Sequence, residues 1–508
     1  MLKLTGNNLT IENVVAVARK GEEVKLAPQA KEKMITSHRW VTNTLKGKKT
    51  VYGINTGFGI FSEKHIPAAE AQRLSRNLIL SHAVGTGEYL PGEVVRAAML
   101  IRANTLARGY SGVRPEIVET LLEMLNKGVT PLIPSQGSLG SSGDLSPLAH
   151  LALVFSKDED DRGNDSGWAE FEGKKLDGKT AMSQAGIPRL ILGPKEGLAI
   201  TNGATFSAAL AALALYDASI LLDTAEVTLA MSLEALLGVS DAFDPRIHAL
   251  RPHPGQQTVA ARVRQLTQGS SLIDSTNRVQ DAYSLRCAPQ VQGAARDTLT
   301  FIRQLVEREI NAVTDNPILL AENEAISGGN FHGEPVGFAM DFLSIVLTEV
   351  SAISERRTFR LIDGSLNQGL PPMLVDSPGA AGINSGMMMP QYTAAALVLE
   401  NRTLSTPDSV QSLSTSGSQE DHNANSMTAA RHAHRVVANT AHVLAIEAFT
   451  AARALDIRLR LIPEGRLGVG VKSAHAKIRS VVPYQGGDKW WGPDIDKVCE
   501  LITAGDLI

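Results

Sequence analysis

Apolar residues recur along this chain at helical spacing far more often than they alternate. Pro28 can open a helix running to about residue 45, with Met34, Val41 and Leu45 as its inner stripe. Pro115 opens a second, with Ile117, Leu121, Met124 and Leu125 on one side and Gly128 placed to cap the end. From residue 204 onward the apolar-periodic segments lengthen, covering about 204–238, 289–311, 336–362, 386–403 and 426–461. A helix of about 35 residues is about 50 Å long. Helices of that length bury their apolar faces by lying side by side, which predicts an up-and-down bundle below a mixed N-terminal region. The expected division is an N-terminal domain over 1–203, a central long-helix bundle over 204–480 and a C-terminal segment over 481–508 packed on the bundle. The most apolar run, 207–223, is interrupted by Asp217 and stops short of the roughly 20 residues that cross a bilayer, so it reads as a buried helix. The acidic stretch 157–176 reads as a surface loop or small hairpin, and VYGIN at 51–55 looks strand-like.

Composition sharpens the class. Aromatic residues make up 5% of the 508 positions while Ala and Leu are plentiful, which favours packed helices over sheets. The formal net charge is -4, so neither a polyanion such as nucleic acid nor a membrane surface is the expected partner. Only Cys287 and Cys499 are present and the first residues lack a basic start followed by an apolar core, which suggests no disulfide framework, no signal peptide and a cytoplasmic setting.

The segment GSLGSSGDLSPLAH, residues 137–150, carries the candidate chemistry. A phosphate loop needs Lys after its second glycine, whereas Gly143 is followed by Asp144, whose charge repels phosphate. The GxSxG spacing of a serine hydrolase is absent here. A structural reading makes it a loop capping a helix from Leu145, with Asp144 or Ser142 as N-cap and Pro147 in the first turn. A chemical reading coexists with it. If a tight turn brings the Gly143 amide nitrogen onto the Ser141 carbonyl carbon, a five-membered ring closes, and loss of the Ser142 hydroxyl as water leaves an exocyclic methylidene. Glycine is needed as the attacking residue because a Cβ would crowd the turn. Serine is needed in the middle because its hydroxyl leaves, while the first residue lends only its carbonyl.

PSQGSLGSSGDLSPLAHLAL at 134–153 resembles the prosthetic-group segment of the histidine and aromatic amino-acid ammonia-lyases, in which Ala-Ser-Gly forms 4-methylidene-imidazol-5-one (MIO). Ser141 stands where that family usually has alanine. The resemblance extends over nearly the whole chain: YGINTGFG at 52–59, LILSHAVG at 78–85, KEGLAITNG at 195–203, RVQDAYSLRCAPQVQGA at 278–294, TDNP at 314–317, SGGNFHGEPVGFAMDFL at 327–343 and SQEDH at 418–422. It implies a mainly α, fumarase/aspartase-like fold and a homotetramer whose active sites are shared between subunits. It also implies an MIO group made autocatalytically from Ser141, Ser142 and Gly143.

By the same resemblance, Tyr52 is the base for the substrate Cβ proton, on a glycine-flanked lid loop. A tyrosine of ordinary pKa, about 10, must be activated for this, and electropositive groups in the assembled site are the expected cause. Arg286 would hold the substrate carboxylate, a task suited to its forked guanidinium. Gln280 and Tyr283, at three-residue intervals before it, are expected on the same helix face, Tyr283 with a catalytic part. Asn202 would contact the prosthetic ring, and Asn316 and Phe331 would line the site. Ser81-His82 with Glu420 resembles the histidine enzymes, since a buried imidazole needs partners for both nitrogens. The reaction implied is histidine to trans-urocanate and ammonia, with phenylalanine or tyrosine lyases and 2,3-aminomutases as alternatives. After QEDH the chain reads Asn423-Ala424-Asn425-Ser426-Met427 where histidine lyases go straight to Val-Ser-Met, which partly resembles the phenylalanine and tyrosine branch. His432 and His434, two apart on a helix, point to different faces and make no metal site. A non-enzymatic helical scaffold would have lost Tyr52, Ser142, Gly143 or Arg286, and all are present.

Overall fold

The structure is a computed structural model that describes residues 1–46, 50–322 and 324–508. It is mainly helical. The five long segments predicted from periodicity are the helices Thr205–Ala235, Ala288–Glu309, Glu334–Ile362, Met388–Leu404 and Ser426–Leu461. The two Pro-initiated helices are Pro28–Lys46 and Pro115–Lys127, and Gly128 closes the latter in the left-handed region at φ 78° with its N–H on the Met124 carbonyl. Strands are short. The acidic insert contains a hairpin, Trp168–Phe171 with Lys174–Asp177, extended to a third strand by Thr130–Pro131.

By contacts the chain forms two compact units, and the division is not sequential. The first comprises Met1–Tyr216, Arg303–Asp341 and Pro407–Arg431; the second comprises Asp217–Ile302, Phe342–Thr406 and His432–Ile508. This differs from the expected order of N-terminal domain, bundle and C-terminal segment. Residues 303–341 and 407–431 follow bundle-like helices in sequence yet pack with the N-terminal part, which periodicity cannot reveal because it reports an apolar face and not its partner.

Two local expectations are corrected. VYGIN is no strand: Val51 accepts hydrogen bonds from the Ile54 and Asn55 amides, and its own amide donates to Asn55 Oδ1 at 2.7 Å, making a tight turn. The apolar run 207–223 lies inside the helix Thr205–Ala235, as the long periodic segment predicts. That helix and Glu334–Ile362 are long and apolar enough to cross a membrane, but 78% and 61% of their most apolar windows are buried within the protein. Asp144 does occupy the N-cap position of Leu145–Phe155, yet its side chain caps nothing there; its carboxylate is used elsewhere, as described below.

In the second unit, the long helices are cross-linked by one fully buried carboxylate. Glu447 accepts from Thr228 Oγ1 at 2.9 Å, Ser232 Oγ at 2.8 Å, Ser354 Oγ at 2.6 Å and the Arg357 guanidinium at 2.5 and 2.8 Å. An apolar cluster of Ala394, Val398, Val443 and Ile446 packs in the same unit. The first unit has its own small cluster, Val41, Val51, Ile54 and Leu319, which anchors the loop carrying Tyr52.

Candidate active site

The reactive turn is built from glycine geometry and one buried carboxylate. Gly143 sits at φ 89°, and a Cβ there would overlap the backbone of Gly203. The two glycines bridge in parallel: the Gly203 amide donates to the Ser142 carbonyl at 3.2 Å and the Asp144 amide donates to the Gly203 carbonyl at 2.9 Å. Gly203, at φ 104°, in turn meets Thr314 closely enough to exclude a side chain. Asp144 is fully buried and accepts from Ser138 Oγ at 2.7 Å, Ser207 N at 2.8 Å and Ser207 Oγ at 3.0 Å. Burial pushes its carboxyl above the usual range, with these hydrogen bonds opposing.

Four helices begin at this turn. Leu145–Phe155 follows it directly; Thr205–Ala235 meets it through Ser207; Gly333, just before Glu334–Ile362, donates to the Gly140 carbonyl at 2.8 Å; and Ser426, first residue of Ser426–Leu461, lies 3.0 Å from the Ser207 hydroxyl. Helix N-termini carry unpaired N–H groups and partial positive charge, which favour negative charge developing at the turn. The residues present therefore fit the ring that the segment's chemistry calls for. Gly143 is sterically compelled, Ser142 is half-buried, and Ser141 is 4% exposed with its backbone held between fixed neighbours.

Tyr52 and His82 both lie within electrostatic reach of Glu420. His82 ends the helix Ala71–His82, and its Nδ1 lies 3.0 Å from Ser81 Oγ. Burial depresses its pKa, opposed by the Leu78 backbone and by Glu420, so the imidazole is neutral at physiological pH. Glu420 sits in the segment 412–424, where Thr415 pairs with it through the backbone and through a 3.4 Å side-chain contact. Its charge is felt at Tyr52 as well. The Tyr52 hydroxyl is raised above its usual pKa by burial first, then by Glu420 and Asp315, with a hydrogen bond from the Gly59 backbone opposing. Among the described residues of one chain, the charges that act on Tyr52 are carboxylates.

Asn202 and Asn316 form the wall beside Gly203. Asn202 Nδ2 donates to the Asn316 carbonyl at 3.0 Å and to Asp315 Oδ1 at 3.3 Å, while its carbonyl accepts from Arg102. Asn316 Oδ1 accepts from Ser327 Oγ at 3.1 Å and Gly328 N at 2.8 Å, fixing the loop that carries half-buried Phe331. Further along that loop His332 stacks on His422 with ring centroids 6.0 Å apart. Beneath lie groups that sequence reading did not single out. Lys195 and Asp315 form a fully buried ion pair at 2.6 Å. Arg102 is fully buried with Nε and Nη2 unpartnered, and burial lowers its pKa to about 10. Glu309 is pushed up to about 7 by burial. Lys195 and Asp315 lie inside quoted motifs and could have been noticed as charges in otherwise apolar surroundings. Arg102, within an apolar helix, gave no signal.

Gln280, Tyr283 and Arg286 belong to the second unit. The expected shared helix face is not formed: the helix is the single turn Tyr283–Arg286, and Gln280 precedes it in an irregular stretch. The Arg286 guanidinium lies over the Tyr283 ring, 4.6 Å from its centroid, and its Nε is buried without a hydrogen-bond partner among the described residues. A buried, unmatched guanidinium N–H is what an anion-binding group looks like before its anion arrives.

The family model described as aromatic amino acid lyase matches residues 9–480. A histidine ammonia-lyase of Caldanaerobacter subterraneus subsp. tengcongensis is 48% identical over 507 residues, covering 99% of this chain and 97% of that protein. Among solved structures, the histidine ammonia-lyase from Trypanosoma cruzi aligns with a TM-score of 0.90 at 37% identity, covering 100% of this chain and 94% of that one. The tyrosine aminomutase from Streptomyces globisporus aligns with a TM-score of 0.92 at 34% identity, covering 100% and 97%. With the glycine-built turn, the four helix N-termini upon it and a match spanning its length, the chain belongs to the aromatic amino acid lyase family and is a carbon-nitrogen lyase of the ammonia-lyase type.

Proposed function

We propose that this enzyme converts L-histidine to trans-urocanate and ammonia. The observation that carries the reading is that the Glu420 charge reaches both His82, whose pKa burial lowers, and Tyr52, since a buried substrate imidazole needs one partner for each nitrogen. Glu420 would accept from one N–H, and His82, held by Ser81, would meet the other side. The relatives named as histidine ammonia-lyases support the same choice.

An MIO group formed from Ser141, Ser142 and Gly143 would supply a carbon electrophile for the substrate amine. Asp144 and Gly203 would hold its backbone in place, and Asn202 would border it. Arg286 would bind the substrate carboxylate through the N–H that is now unmatched, with Gln280 and Tyr283 nearby in sequence. Tyr52 would take the Cβ proton. Its raised pKa leaves little phenolate at neutral pH, so the positive charge that activates it must come with substrate and assembly. We place Asn316 and Phe331 in the lining of the same site.

We further propose a homotetramer in which neighbouring subunits complete each site, in the cytoplasm, acting on a small molecule alone. The assembly is supported by apolar side chains left exposed in the second unit: Tyr283 at 69%, Val279 at 89%, Tyr392 at 68% and Leu399 at 60%. A cytoplasmic setting is supported by Cys287 and Cys499, which form no disulfide. The test of the chemistry is Ser142→Ala. The variant should fold and assemble, lack the mass loss of two waters that ring closure entails, and lose about a thousandfold or more in turnover. Near-normal turnover would sink the mechanism.

A further inference from the structure

Two departures from the family pattern were visible in the sequence, and nothing in the sequence connected them. Ser141 replaces the usual alanine, and Asn423-Ala424-Asn425 intervenes between QEDH and Ser426. In the structure the two touch. The Ser141 hydroxyl donates to Asn423 Oδ1 across 282 residues of sequence and accepts from the Ala424 amide at 3.2 Å. All three residues are buried, Asn423 and Ala424 completely and Ser141 to within 4%. Asn423 is itself fixed from the other side. Its amide N–H donates to Ser412 Oγ at 2.7 Å, and its Nδ2 donates to the Leu413 carbonyl and lies 3.5 Å from the Glu420 carbonyl.

We propose that Ser141 and Asn423 are a matched positioning pair, in which the Ser141 hydroxyl ties the segment 412–424, and with it Glu420, to the reactive turn. Closing the ring joins the Gly143 nitrogen to the Ser141 carbonyl carbon; the Ser141 carbonyl oxygen leaves with the Gly143 and Ser142 amide hydrogens as one water, and the Ser142 hydroxyl leaves with the Ser142 Cα hydrogen as the second. The Ser141 hydroxyl takes no part, so the tie survives the chemistry. Glu420 lies three residues before Asn423, so the tie sets the distance from the electrophilic turn to the carboxylate that reads the substrate. The pair is matched because either change alone disturbs a buried hydrogen-bond set. Alanine at 141 leaves Asn423 Oδ1 and the Ala424 N–H without a partner among the described residues, and an apolar residue at 423 takes away the Asn423 acceptor of the Ser141 O–H, which keeps the Ala424 N–H and a 3.4 Å approach to the Leu139 carbonyl. Changing both removes the mismatch. The effect on substrate rests on the proposed histidine reading; the coupling itself does not.

The experiment compares the full-length tetramer with Ser141→Ala, Asn423→Val and the double variant. Amide exchange of the 412–424 peptide, measured without substrate, should quicken by about tenfold in each single variant and by no more than that in the double. Peptide mass should show the loss of two waters in all of them, which separates positioning from ring formation. Asn423→Val should raise KM for histidine by about tenfold while kcat changes less than threefold. Exchange that is unchanged in Asn423→Val, or that multiplies in the double variant, overturns the proposal, as does failure of the ring to close in Asn423→Val. An enzyme inert to histidine that still shows coupled exchange overturns the substrate reading and supports the pair.

Discussion

Glu234 shows how much a single buried carboxyl can decide. It is 0% exposed, accepts from Gly468 N at 2.9 Å through Oε1 and has the Ser270 side chain as its other hydrogen-bonding neighbour. Burial raises its pKa from 4.5 to about 8. The folded state therefore holds this proton more tightly than the unfolded chain. Its contribution to stability is fully present below about pH 4.5 and is lost as pH rises through about 8. Glu234→Gln should flatten that decline, so that the gap in thermal midpoint between variant and parent widens from pH 5 to pH 8. A constant gap contradicts the account. Tyr52, the proposed base, and Glu309 carry shifts of the same direction and origin. The Tyr52 shift says that the first unit by itself holds the base in its resting, protonated form.

At the scale of elements, the central helices of the second unit meet at Glu447. Removing it leaves the Arg357 guanidinium buried without its counter-charge, and Glu447→Ala should cost about 3–5 kcal/mol in denaturant unfolding. A loss under about 1 kcal/mol would mean that the network is not what joins these helices. The long helices themselves were legible from periodicity, because an apolar stripe repeated over many turns has no other interpretation. The helix Pro115–Lys127 was legible to its ends, since Pro at its start and Gly after it punctuate the chain locally. What was not legible depends on distant partners. Asp144 looked like a cap because caps are local, whereas its true ligands come from Ser138 and from Ser207. Gln280 was placed on a helix face because its spacing from Tyr283 allows one, but only a single turn forms around Tyr283 and Arg286. The site motifs were legible as motifs. That the Ser141 and Asn423 departures answer each other was not, because hydrogen bonds between remote loops leave no periodic trace.

For the whole molecule, the features that need explaining are those a lone chain leaves unfinished. Arg286 Nε is unmatched, Tyr52 faces carboxylates, and Val279 and Tyr283, on either side of Gln280, are exposed at 89% and 69%. The proposed tetramer, completing each site from several subunits, would account for all three. Dilution or mild denaturant that separates subunits without unfolding helices should then abolish turnover, read by sedimentation and activity on the same sample. Active monomers would contradict shared sites. The central claim is narrower and is tested by product. Supplied in turn with L-histidine, L-phenylalanine and L-tyrosine, the purified enzyme should release ammonia and accumulate trans-urocanate from histidine, with the aromatic acids turned over at least a hundredfold less well, by about 3 kcal/mol of discrimination at the imidazole partners. Cinnamate or coumarate from an inert-to-histidine enzyme, or a β-amino acid in place of an unsaturated one, would contradict the reading of His82 and Glu420.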